Sequence, residues 1–393
     1  MARAVREFPV VVLTGPRQSG KTTLLKHQLG KRFDYVSLET PDVRAAAEED
    51  PRGFLELHRP PVILDEAHYA PNLLPYVKER VDADRTRSGQ YVLSGSQNLV
   101  LPQNVTETLA GRAAILKLLP LSYRECLGYP RQPLPWQAKR RPARPTLSYE
   151  QLWNSFLRGG YPELVAQPGR DVALWHASYI QTYLERDIRT VRNVGDLSQF
   201  QAFLRMLAAR SAQLLNLADL ARDLGVAVNT AKAWLSLLEA TYQVMVLRPY
   251  FANIGKRLVK SPKIYFSDVG ALCYLVGLRD VEHARSGPMS GAILETAVVA
   301  EVVRSLVHQG DQPDVYFWRT AAGAEIDLVV DSGARLIPIE VKLSATPHPR
   351  MAEGIHAFRG VVKREADPGY VVHPGDVEHP LGQGTVALPF ARL

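Results

Sequence analysis

Residues 10–25 read VVVLTGPRQSGKTTLL, and this stretch decides the fold of the first part of the chain. A β-branched apolar run ends at Gly15 and a helical pattern begins after Thr22, so G-x-x-x-x-G-K-T lies between a strand and a helix. A phosphate-binding loop, or Walker A motif, requires that context. A chance glycine-rich turn is the alternative, but it leaves a partner motif downstream unexplained. The stretch predicts a nucleotide-binding protein.

Each position of this loop has an expected role. Gly15 and Gly20 let the backbone fold around phosphate oxygens, so that consecutive N–H groups and a helix N-terminus face the anion. We expect Lys21 to bridge the β- and γ-phosphates of ATP and the Thr22 hydroxyl to bind Mg²⁺. The residues expected to bind the nucleotide are Gly15, Pro16, Arg17, Gln18, Ser19, Gly20, Lys21, Thr22 and Thr23.

The partner motif is an apolar strand that ends in two carboxylates, Asp65 and Glu66, directly after VIL at 62–64. A buried parallel strand of this kind delivers Asp65 to the Mg²⁺ coordination sphere at its carboxyl end. Glu66 is then placed to polarise the attacking water as a general base. The pattern is weak alone, since many strands end in acidic residues, but behind a Walker A motif it is a strong Walker B signal.

Two further candidates for the hydrolytic site follow along the chain. A strand beginning at Tyr91 leads into Ser96 and Asn98, either of which is a candidate sensor beside the γ-phosphate. The alternative is a turn and helix N-cap, which Ser and Asn also favour. Arg112 is a candidate for neutralising transition-state charge, in cis or from a neighbouring subunit of a homo-oligomer. An ordinary surface arginine is the alternative there.

Length and composition limit the class of protein. With 393 residues the chain is expected to form two or three domains, and 46% hydrophobic with 22% charged residues is typical of soluble globular proteins. No apolar run is long enough for a transmembrane helix, so no membrane association is expected. The two cysteines are far apart, which favours the cytoplasm over a disulfide framework. A net charge of +7 permits nucleic-acid binding without requiring it.

The middle of the chain begins after a proline- and arginine-rich segment, residues 129–147, which predicts a stiff, basic, exposed connector. Helical patterning then dominates to about residue 238. Residues 217–226 and 228–238, with a turn at Gly225, indicate a helix-turn-helix, and the apolar runs at 244–247 and 263–266 are candidate strands of a wing. Asn229, Thr230 and Lys232 would then face a DNA major groove, with protein contact as the alternative.

The C-terminal part carries a second set of acidic residues. Glu340 and Lys342 have strand spacing and therefore share a face, with Asp327 on the preceding strand and Glu295 on an apolar helix. An acidic pair with a lysine is typical of a metal-dependent phosphodiesterase. Asp327 and Glu340 would hold Mg²⁺, Lys342 would position water or stabilise the phosphate, and Glu295 would add a ligand. A salt-bridged remnant without activity would look the same.

Together these segments resemble a bacterial and archaeal family of AAA-type ATP-binding proteins, in which an ATPase domain precedes a C-terminal domain of unknown function. The matching stretches are TGPRQSGKTT (14–23), LDE (64–66), LSGS (93–96), LAGR (109–112), LPLS (119–122), GGYP (159–162), YLERDI (183–188), KIYFSDVG (263–270), WR (318–319), EID (325–327) and EVK (340–342). The chain departs from the family at its start, because few residues precede the P-loop strand where members usually carry a helix that helps cover adenine.

The resemblance implies an α/β protein with a P-loop NTPase domain built on a parallel sheet, then a helical and winged-helix region, then a PD-(D/E)xK restriction-endonuclease-like domain. The expected bounds are 1–128 for the ATPase domain, 129–147 for the linker, 148–284 for the middle region and 285–393 for the nuclease-like domain. We expect ATP and Mg²⁺ as ligands and double-stranded DNA as a candidate partner. The alternatives to an ATPase that drives a DNA-directed module are an ATP-dependent DNA nuclease and a non-catalytic nucleotide switch.

Overall fold

In a computed structural model of the protein, residues 1–95, 108–138, 147–184, 197–250, 261–320, 323–362 and 364–393 are described. The chain divides into two compact units. Unit 1 comprises Met1–Pro120 with Ala240–Tyr242, and unit 2 comprises Leu121–Glu239 with Gln243–Leu393.

Unit 1 is an α/β unit around one parallel sheet. Its strands are β1 (Val10–Thr14), β2 (Asp34–Ser37), β3 (Val62–Asp65), β4 (Tyr91–Gly95) and β5 (Ala113–Lys117). Its helices are α1 (Ala2–Glu7), α2 (Lys21–Leu29), α3 (Pro41–Glu49), α4 (Pro51–Leu57) and α5 (Leu73–Ala83), with a 3₁₀ turn at Ala67–Tyr69. The strand order is β2-β3-β4-β1-β5, and every pair is parallel.

The central strands of this sheet are buried on both faces, which explains their continuous apolar sequence. All five residues of β1 and of β4 are buried, as are all four of β3. Because the pairs are parallel, β4 lies between β1 and β3, and the carboxyl ends of the three strands meet at one edge. The few residues before β1 form the short helix α1.

Unit 2 combines helices with a mixed sheet. Its helices are α6 (Tyr123–Cys126), α7 (Tyr149–Arg158), α8 (Pro162–Ala166), α9 (Val172–Tyr179), α10 (Leu197–Ala209), α11 (Leu217–Leu224), α12 (Val228–Ala240), α13 (Val269–Leu275), α14 (Val281–Ser286), α15 (Ser290–Gln309) and α16 (Glu353–Val361). A π-helical turn spans Ile180–Leu184, and 3₁₀ turns span Pro349–Ala352 and Phe390–Arg392.

Eight strands form the sheet of unit 2: β6 (Val244–Pro249), β7 (Lys263–Phe266), β8 (Val315–Arg319), β9 (Glu325–Asp331), β10 (Leu336–Val341), β11 (Gly369–His373), β12 (His379–Gly382) and β13 (Thr385–Pro389). The order is β12-β13-β11-β10-β9-β8-β6-β7. Strands β8, β9 and β10 are consecutive antiparallel neighbours, and β11, which follows α16, pairs in parallel with β10.

Two expectations about segment boundaries need correction. The candidate wing strands β6 and β7 do pair antiparallel, but β6 also pairs in parallel with β8, so both belong to the same sheet as the C-terminal strands. Residues 129–138 are not an exposed connector. Leu134 and Trp136 are buried, and the Trp136 ring lies 5.9 Å from that of Tyr370. Residues 139–146 lie outside the described residues.

Buried ion pairs hold the helical part of unit 2 together. Arg124 donates from Nε to Glu301 at 3.1 Å, and both side chains are almost fully buried. Asp268 accepts hydrogen bonds from the Gly160 amide at 2.7 Å and from Arg304 at 3.1 Å. The GGYP and KIYFSDVG stretches therefore meet at Asp268. Within the described ranges, no helix is long and apolar enough to cross a membrane.

Candidate functional site

The phosphate-binding loop of unit 1 has the backbone that its glycines allow. Gly15 directly follows β1 with φ of 149°, and a Cβ at this position would lie 2.0 Å from the carbonyl oxygen of Leu118. Gly20 forms the N-cap of α2 in the left-handed region, with φ of 89°. Side chains are strained or excluded at both positions. The loop is thus a glycine-dependent turn that opens directly into a helix N-terminus.

Lys21, the first residue of α2, is buried and directed back across the loop. Its Nζ donates to the carbonyl oxygens of Gly15 at 3.0 Å and Pro16 at 2.8 Å. These bonds hold the ammonium group beside the backbone of the loop, where the sequence predicted a phosphate contact. The Ser19 hydroxyl is buried, and it finds no hydrogen-bond partner among the described residues.

Asp65 is the centre of a hydrogen-bond network at the carboxyl end of the sheet. Its Oδ2 accepts from the Thr22 hydroxyl at 2.8 Å and from the Tyr35 hydroxyl at 2.5 Å. Its Oδ1 accepts from Ser94 at the end of β4 and from the Glu66 amide at 3.2 Å. The contact between Thr22 and Asp65 brings together the two side chains that the sequence assigned to Mg²⁺.

Glu66 has an unusual backbone for its residue type. Its φ is 54°, in the left-handed region, which is sparsely populated by residues other than glycine and is often found at functional sites. Its Oε2 lies 3.1 Å from Nδ1 of His68, which is almost fully buried. The Glu66 carboxylate thus lies beside the ring of His68 at the turn after β3.

Tyr35 on β2 belongs to this site although the sequence analysis did not select it. Burial, followed by the hydrogen bond to Asp65, raises the pKa of the phenol, so Tyr35 stays a neutral donor. The Lys26 ammonium lies 4.0 Å from the centre of its ring. Because β2 and β3 are neighbours with Ser37 opposite Asp65, knowledge of the strand order would have been needed to find this contact.

Three more residues were candidates for a role in ATP hydrolysis: Ser96, Asn98 and Arg112. Ser96 and Asn98 lie outside the described residues. Arg112 donates from Nε and Nη2 to the two oxygens of Asp82, at 2.7 and 2.9 Å, and also to the Ala110 carbonyl. This bidentate pair lowers the pKa of Asp82 to about 2, chiefly through the hydrogen bond from Arg112. Arg112 is thus paired with Asp82 within unit 1, and its role in neutralising transition-state charge stays a prediction.

The residues of this site fit a nucleotide with Mg²⁺. Glycine positions leave the loop backbone open to a close approach, and a hydroxyl and a carboxylate offer hard oxygen ligands. The buried Ser19 hydroxyl has no partner within the described parts of the chain. The arrangement suits binding of a polyphosphate anion and activation of water beside Glu66.

A second group of functional side chains lies in unit 2, on α15 and three strands of the sheet. Glu295 comes from α15, Lys263 from β7, Asp327 from β9 and Glu340 from β10. Continuing the register of β9 and β10 by one residue beyond the pair Ile339 and Leu328 sets Glu340 opposite Asp327. We call Lys263, Glu295, Glu325, Asp327, Glu340 and Lys342 the acidic cluster.

The predicted pair of Glu340 and Lys342 is in contact. Lys342, the residue after β10, donates from Nζ to Glu340 Oε1 at 2.6 Å, as expected for alternate residues on one face. The amide of Val341 donates to Asp327 Oδ2 at 2.9 Å. The four residues predicted for a metal-dependent phosphodiesterase, Glu295, Asp327, Glu340 and Lys342, therefore line one region of unit 2.

Lys263 was not predicted, and its ammonium group lies among the carboxylates. Nζ is 2.9 Å from Glu295 Oε1, 2.5 Å from Glu325 Oε1 and 3.4 Å from Asp327 Oδ1. Tyr265, two residues further along β7, donates to Glu295 Oε1 at 2.7 Å. The KIYF stretch was interpreted as a wing strand, but the alternation of Lys263 and Tyr265 could have indicated that both side chains share a face.

Burial and mutual repulsion shift the titration of these carboxyl groups. Burial first, and then the charge of Asp327, raise the pKa of Glu295 to about 7 and that of Glu340 to about 8. Burial also raises the pKa of Asp327. Burial alone would lower the pKa of Lys263, but the charges of Glu295 and Asp327 outweigh it and raise that pKa. Lys263 is therefore a permanent cation in the cluster.

The acidic cluster opens into a cavity of about 980 Å³, which Arg319 and Arg350 also line. The second oxygen of Glu340, Oε2, is buried and has no hydrogen-bond partner in the described parts of the chain. Across those same parts, no group of three or more His, Cys, Asp or Glu side chains is arranged to hold a metal ion. The carboxylates that the sequence assigned to Mg²⁺ are instead assembled around the ammonium of Lys263, so in this arrangement they do not fit a metal.

Three successive segments of the chain match known domain families. Residues 7–127 match the AAA domain family, residues 149–282 a domain of unknown function, DUF8612, and residues 290–393 another, DUF4143. A Walker-type ATPase of Pyrococcus abyssi, PABY2304, is similar in structure, with a TM-score of 0.46 and 16% identity over 70% of this chain and 93% of that one.

Two mycobacterial proteins are similar along the whole sequence. They are the uncharacterized proteins Rv2008c of Mycobacterium tuberculosis and Mb2031c of Mycobacterium bovis. Each is 32% identical to this chain over 395 residues, a match that covers 100% of this chain and 82% of the relative. The chain therefore belongs to the same family as these mycobacterial proteins, with an AAA domain at its N-terminus and a DUF4143 domain at its C-terminus.

Proposed function

We propose that the protein is a Mg²⁺-dependent ATPase whose cycle drives a DNA-directed module in the C-terminal part of the chain. The observation that carries the ATPase is the 2.8 Å hydrogen bond between Thr22 and Asp65, which joins the Walker A and Walker B motifs beside Lys21. A chance glycine-rich turn would not bring a strand-terminal carboxylate to the hydroxyl that follows the lysine.

The residues of unit 1 have distinct proposed roles toward ATP. The amides from Gly15 to Thr23 bind phosphate oxygens, and Lys21 exchanges its carbonyl partners for phosphate. Thr22 and Asp65 would hold Mg²⁺, which neutralises charge on the phosphates when it is bound. Asp65 keeps its direction through Tyr35 and Ser94, so its carboxylate is already oriented before a ligand enters.

Glu66 is the proposed general base. Its carboxylate accepts a proton from the water that attacks the γ-phosphate, and general bases of this kind contribute about a hundredfold or more to the rate. The left-handed backbone at Glu66, a conformation often found at functional sites, supports this role. Asn98 would be the sensor for the γ-phosphate, a proposal that rests on its position after β4 in the sequence.

The DNA-directed part of the proposal rests on helix α12. Asn229 and Lys232 are exposed and Thr230 is half-buried, whereas Ala231, Trp234 and Leu238 on the other side are buried. A helix that follows a turn and presents amide and cationic side chains on its open face is suited to a major groove.

A second copy of the chain, forming a homo-oligomer, would be the source of an arginine for the transition state, since Arg112 is paired with Asp82.

Two alternatives belong to the same chain. In the first, Asp327, Glu340 and Lys342 cut DNA, which the cavity and the pair of Glu340 and Lys342 favour and the position of Lys263 opposes. Cleavage supported by Mg²⁺ or Mn²⁺ should then disappear in Asp327→Ala, and cleavage that persists would point to another site. In the second alternative, ATP only sets a protein-interaction state. A rate stimulated by DNA would count against that switch.

ATP turnover with and without duplex DNA tests the main proposal. We expect Lys21→Ala to lower turnover by about a hundredfold or more, because it removes a cation from the phosphates. Lys31→Ala, an exposed lysine just after α2, is the matched control and should leave turnover unchanged. Duplex DNA should raise the wild-type rate, and Lys232→Ala should weaken that stimulation. Unchanged turnover in Lys21→Ala would remove the P-loop assignment, and a rate indifferent to DNA would remove the coupling.

A further inference from the structure

Lys263 has surroundings that are unusual for a lysine. The residue is only 4% exposed, and its ammonium contacts carboxylate oxygens of Glu295, Glu325 and Asp327. Burying a charge is costly unless it is paired, so three carboxylates and one ammonium stabilise each other here. The main chain of Lys263 is fixed in β7, where it pairs with Leu247 of β6. Only the flexible side chain is free to leave the cluster.

The carboxylate oxygens nearest the centre of the cluster are already committed. Glu295 Oε1 accepts from both Lys263 and Tyr265, and Asp327 accepts from Lys263 at Oδ1 and from the Val341 amide at Oδ2. Protein oxygens bind divalent cations such as Mg²⁺ and Ca²⁺ at about 2.0–2.6 Å. A metal ion at that distance from the oxygens that face Lys263 would occupy the space of the ammonium group.

Glu340 has an oxygen in a different situation. Glu340 Oε2 is buried and has no hydrogen-bond partner among the described residues, and the Glu340 side chain is 9% exposed beside the cavity. A buried carboxylate oxygen without a donor is costly and marks a place where a cation would be stabilised. The cluster thus combines an internal cation on one side with an unsatisfied oxygen on the other.

We propose that Lys263 is a tethered cation that occupies the cation position of the cluster formed by Glu295, Glu325 and Asp327 and keeps divalent metal ions out of it. This inference rests on the alternative of a metal-dependent site at Asp327 and Glu340, and it names the residue that controls metal entry to that site. Withdrawal of the Lys263 side chain into the cavity removes its contacts with Glu295 Oε1 and Asp327 Oδ1 at once, and leaves the Tyr265 hydrogen bond on Glu295 Oε1 in place. The same movement leaves the carboxylates without a counter-charge, so metal entry and lysine withdrawal are coupled.

The exposed lysine of the cluster has a different role. Lys342 has a side chain that is 40% exposed and contacts Glu340 at Oε1, whereas Lys263 contacts Glu295, Glu325 and Asp327. Lys263 and Lys342 therefore differ in what they block. Replacing Lys263 removes the competitor of the metal, whereas replacing Lys342 leaves that competitor in place.

Mn²⁺ binding to the full chain tests the proposal, measured by electron paramagnetic resonance of free Mn²⁺ without nucleotide. All variants carry Asp65→Asn to remove the metal ligand of unit 1. We expect Lys263→Met to bind one Mn²⁺ at least about tenfold more tightly than the Lys263 parent, since the competing charge is gone. Lys342→Met is the matched control and should show no such gain. Adding Asp327→Asn to Lys263→Met should abolish the new site.

Folding of the variants is checked by circular dichroism, and Lys263→Met combined with Glu325→Gln removes one unpaired carboxylate if the single variant is unstable. Equal Mn²⁺ affinity in the parent and in Lys263→Met would overturn the role of Lys263 while leaving the metal site intact. Absence of Mn²⁺ binding from every folded variant would overturn the metal site itself, and with it both the nuclease alternative and this inference.

Discussion

The two carboxylate centres of this chain, one in each unit, satisfy buried acidic groups in different ways. In unit 1, Asp65 is surrounded by the neutral hydroxyl donors of Thr22, Tyr35 and Ser94. In unit 2, Glu295, Glu325 and Asp327 surround the ammonium of Lys263. Neutral donors orient a carboxylate and leave its charge to attract an external cation. An internal ammonium neutralises the charge and makes an external cation a competitor.

Because of this difference, we expect Asp65 to exchange a hydroxyl donor for a metal ion more easily than the acidic cluster exchanges Lys263. A hydroxyl that donates to Asp65 can turn aside when a metal ion binds, and it loses only a modest hydrogen bond. Lys263 cannot turn aside without leaving a buried set of negative charges. We therefore expect perturbations of the two centres to differ in size.

Removal of the internal cation should be the most damaging change to stability. Lys263→Met is expected to lower the free energy of unfolding of unit 2 by about 3–5 kcal/mol, because it leaves buried carboxylates unpaired. All five tryptophans, Trp136, Trp153, Trp175, Trp234 and Trp318, belong to unit 2, so urea unfolding followed by tryptophan fluorescence reports that unit.

Lys342→Met provides the matched control for that measurement. Its side chain is 40% exposed, and among the described residues its ion pair is with Glu340, so we expect a loss of about 1 kcal/mol or less. Equal losses in the two lysine variants would contradict the distinction between a buried cation and a surface pair. Combining Lys263→Met with Glu325→Gln should restore part of the lost free energy of unfolding, because the double variant buries one charge fewer.

Loss of a neutral donor in unit 1 should have a smaller effect. Tyr35→Phe removes one hydrogen bond to Asp65 while Thr22 and Ser94 remain, so we expect a loss of about 1–2 kcal/mol in the stability of unit 1. Urea unfolding followed by circular dichroism measures it, and the tryptophan transition of unit 2 should not move. Tyr76→Phe, on α5 of the same unit, is the control. A loss as large as that expected for Lys263→Met would contradict the distinction between a neutral donor and a buried cation.

The smallest expected effect concerns the surface pair of Arg112 and Asp82. Because the pKa of Asp82 is lowered to about 2 in the folded chain, the pair stabilises the fold above the ordinary pKa of 3.8, and that contribution is lost as pH falls toward 2. The melting temperature of Arg112→Ala should therefore lie slightly below that of wild type at pH 5 and converge with it near pH 2. A constant difference over that range would contradict the assignment.

The strand and helix around the P-loop, and the carboxylate centre of unit 1, could be predicted because their residues are adjacent in the sequence. Gly15 to Thr22 and Asp65 with Glu66 form local motifs whose strand and helix context is visible in the sequence. Tyr35 and Ser94 were missed because their contacts to Asp65 depend on the order β2-β3-β4, which no local pattern specifies. Asn98 stays a prediction, since it lies outside the described residues.

The second centre was predicted in part for the same reason. Asp327, Glu340 and Lys342 follow the alternation of neighbouring strands, so their shared face could be inferred. Lys263 precedes Asp327 by 64 residues and reaches it only because β7 and β9 join one sheet. Because residues 263–266 were predicted to form a separate wing, a contact between Lys263 and Asp327 was not expected. Likewise, the basic composition of 129–138 concealed the burial of Leu134 and Trp136.

We propose that unit 1 hydrolyses ATP with Glu66 as the base. Single-turnover hydrolysis of ATP by wild type and by Glu66→Gln tests this proposal. The affinity for ATP is measured on the same samples. We predict that the variant binds ATP within about threefold of wild type and hydrolyses it about a hundredfold or more slowly, since only proton acceptance is lost. Hydrolysis within about threefold of wild type would contradict the account.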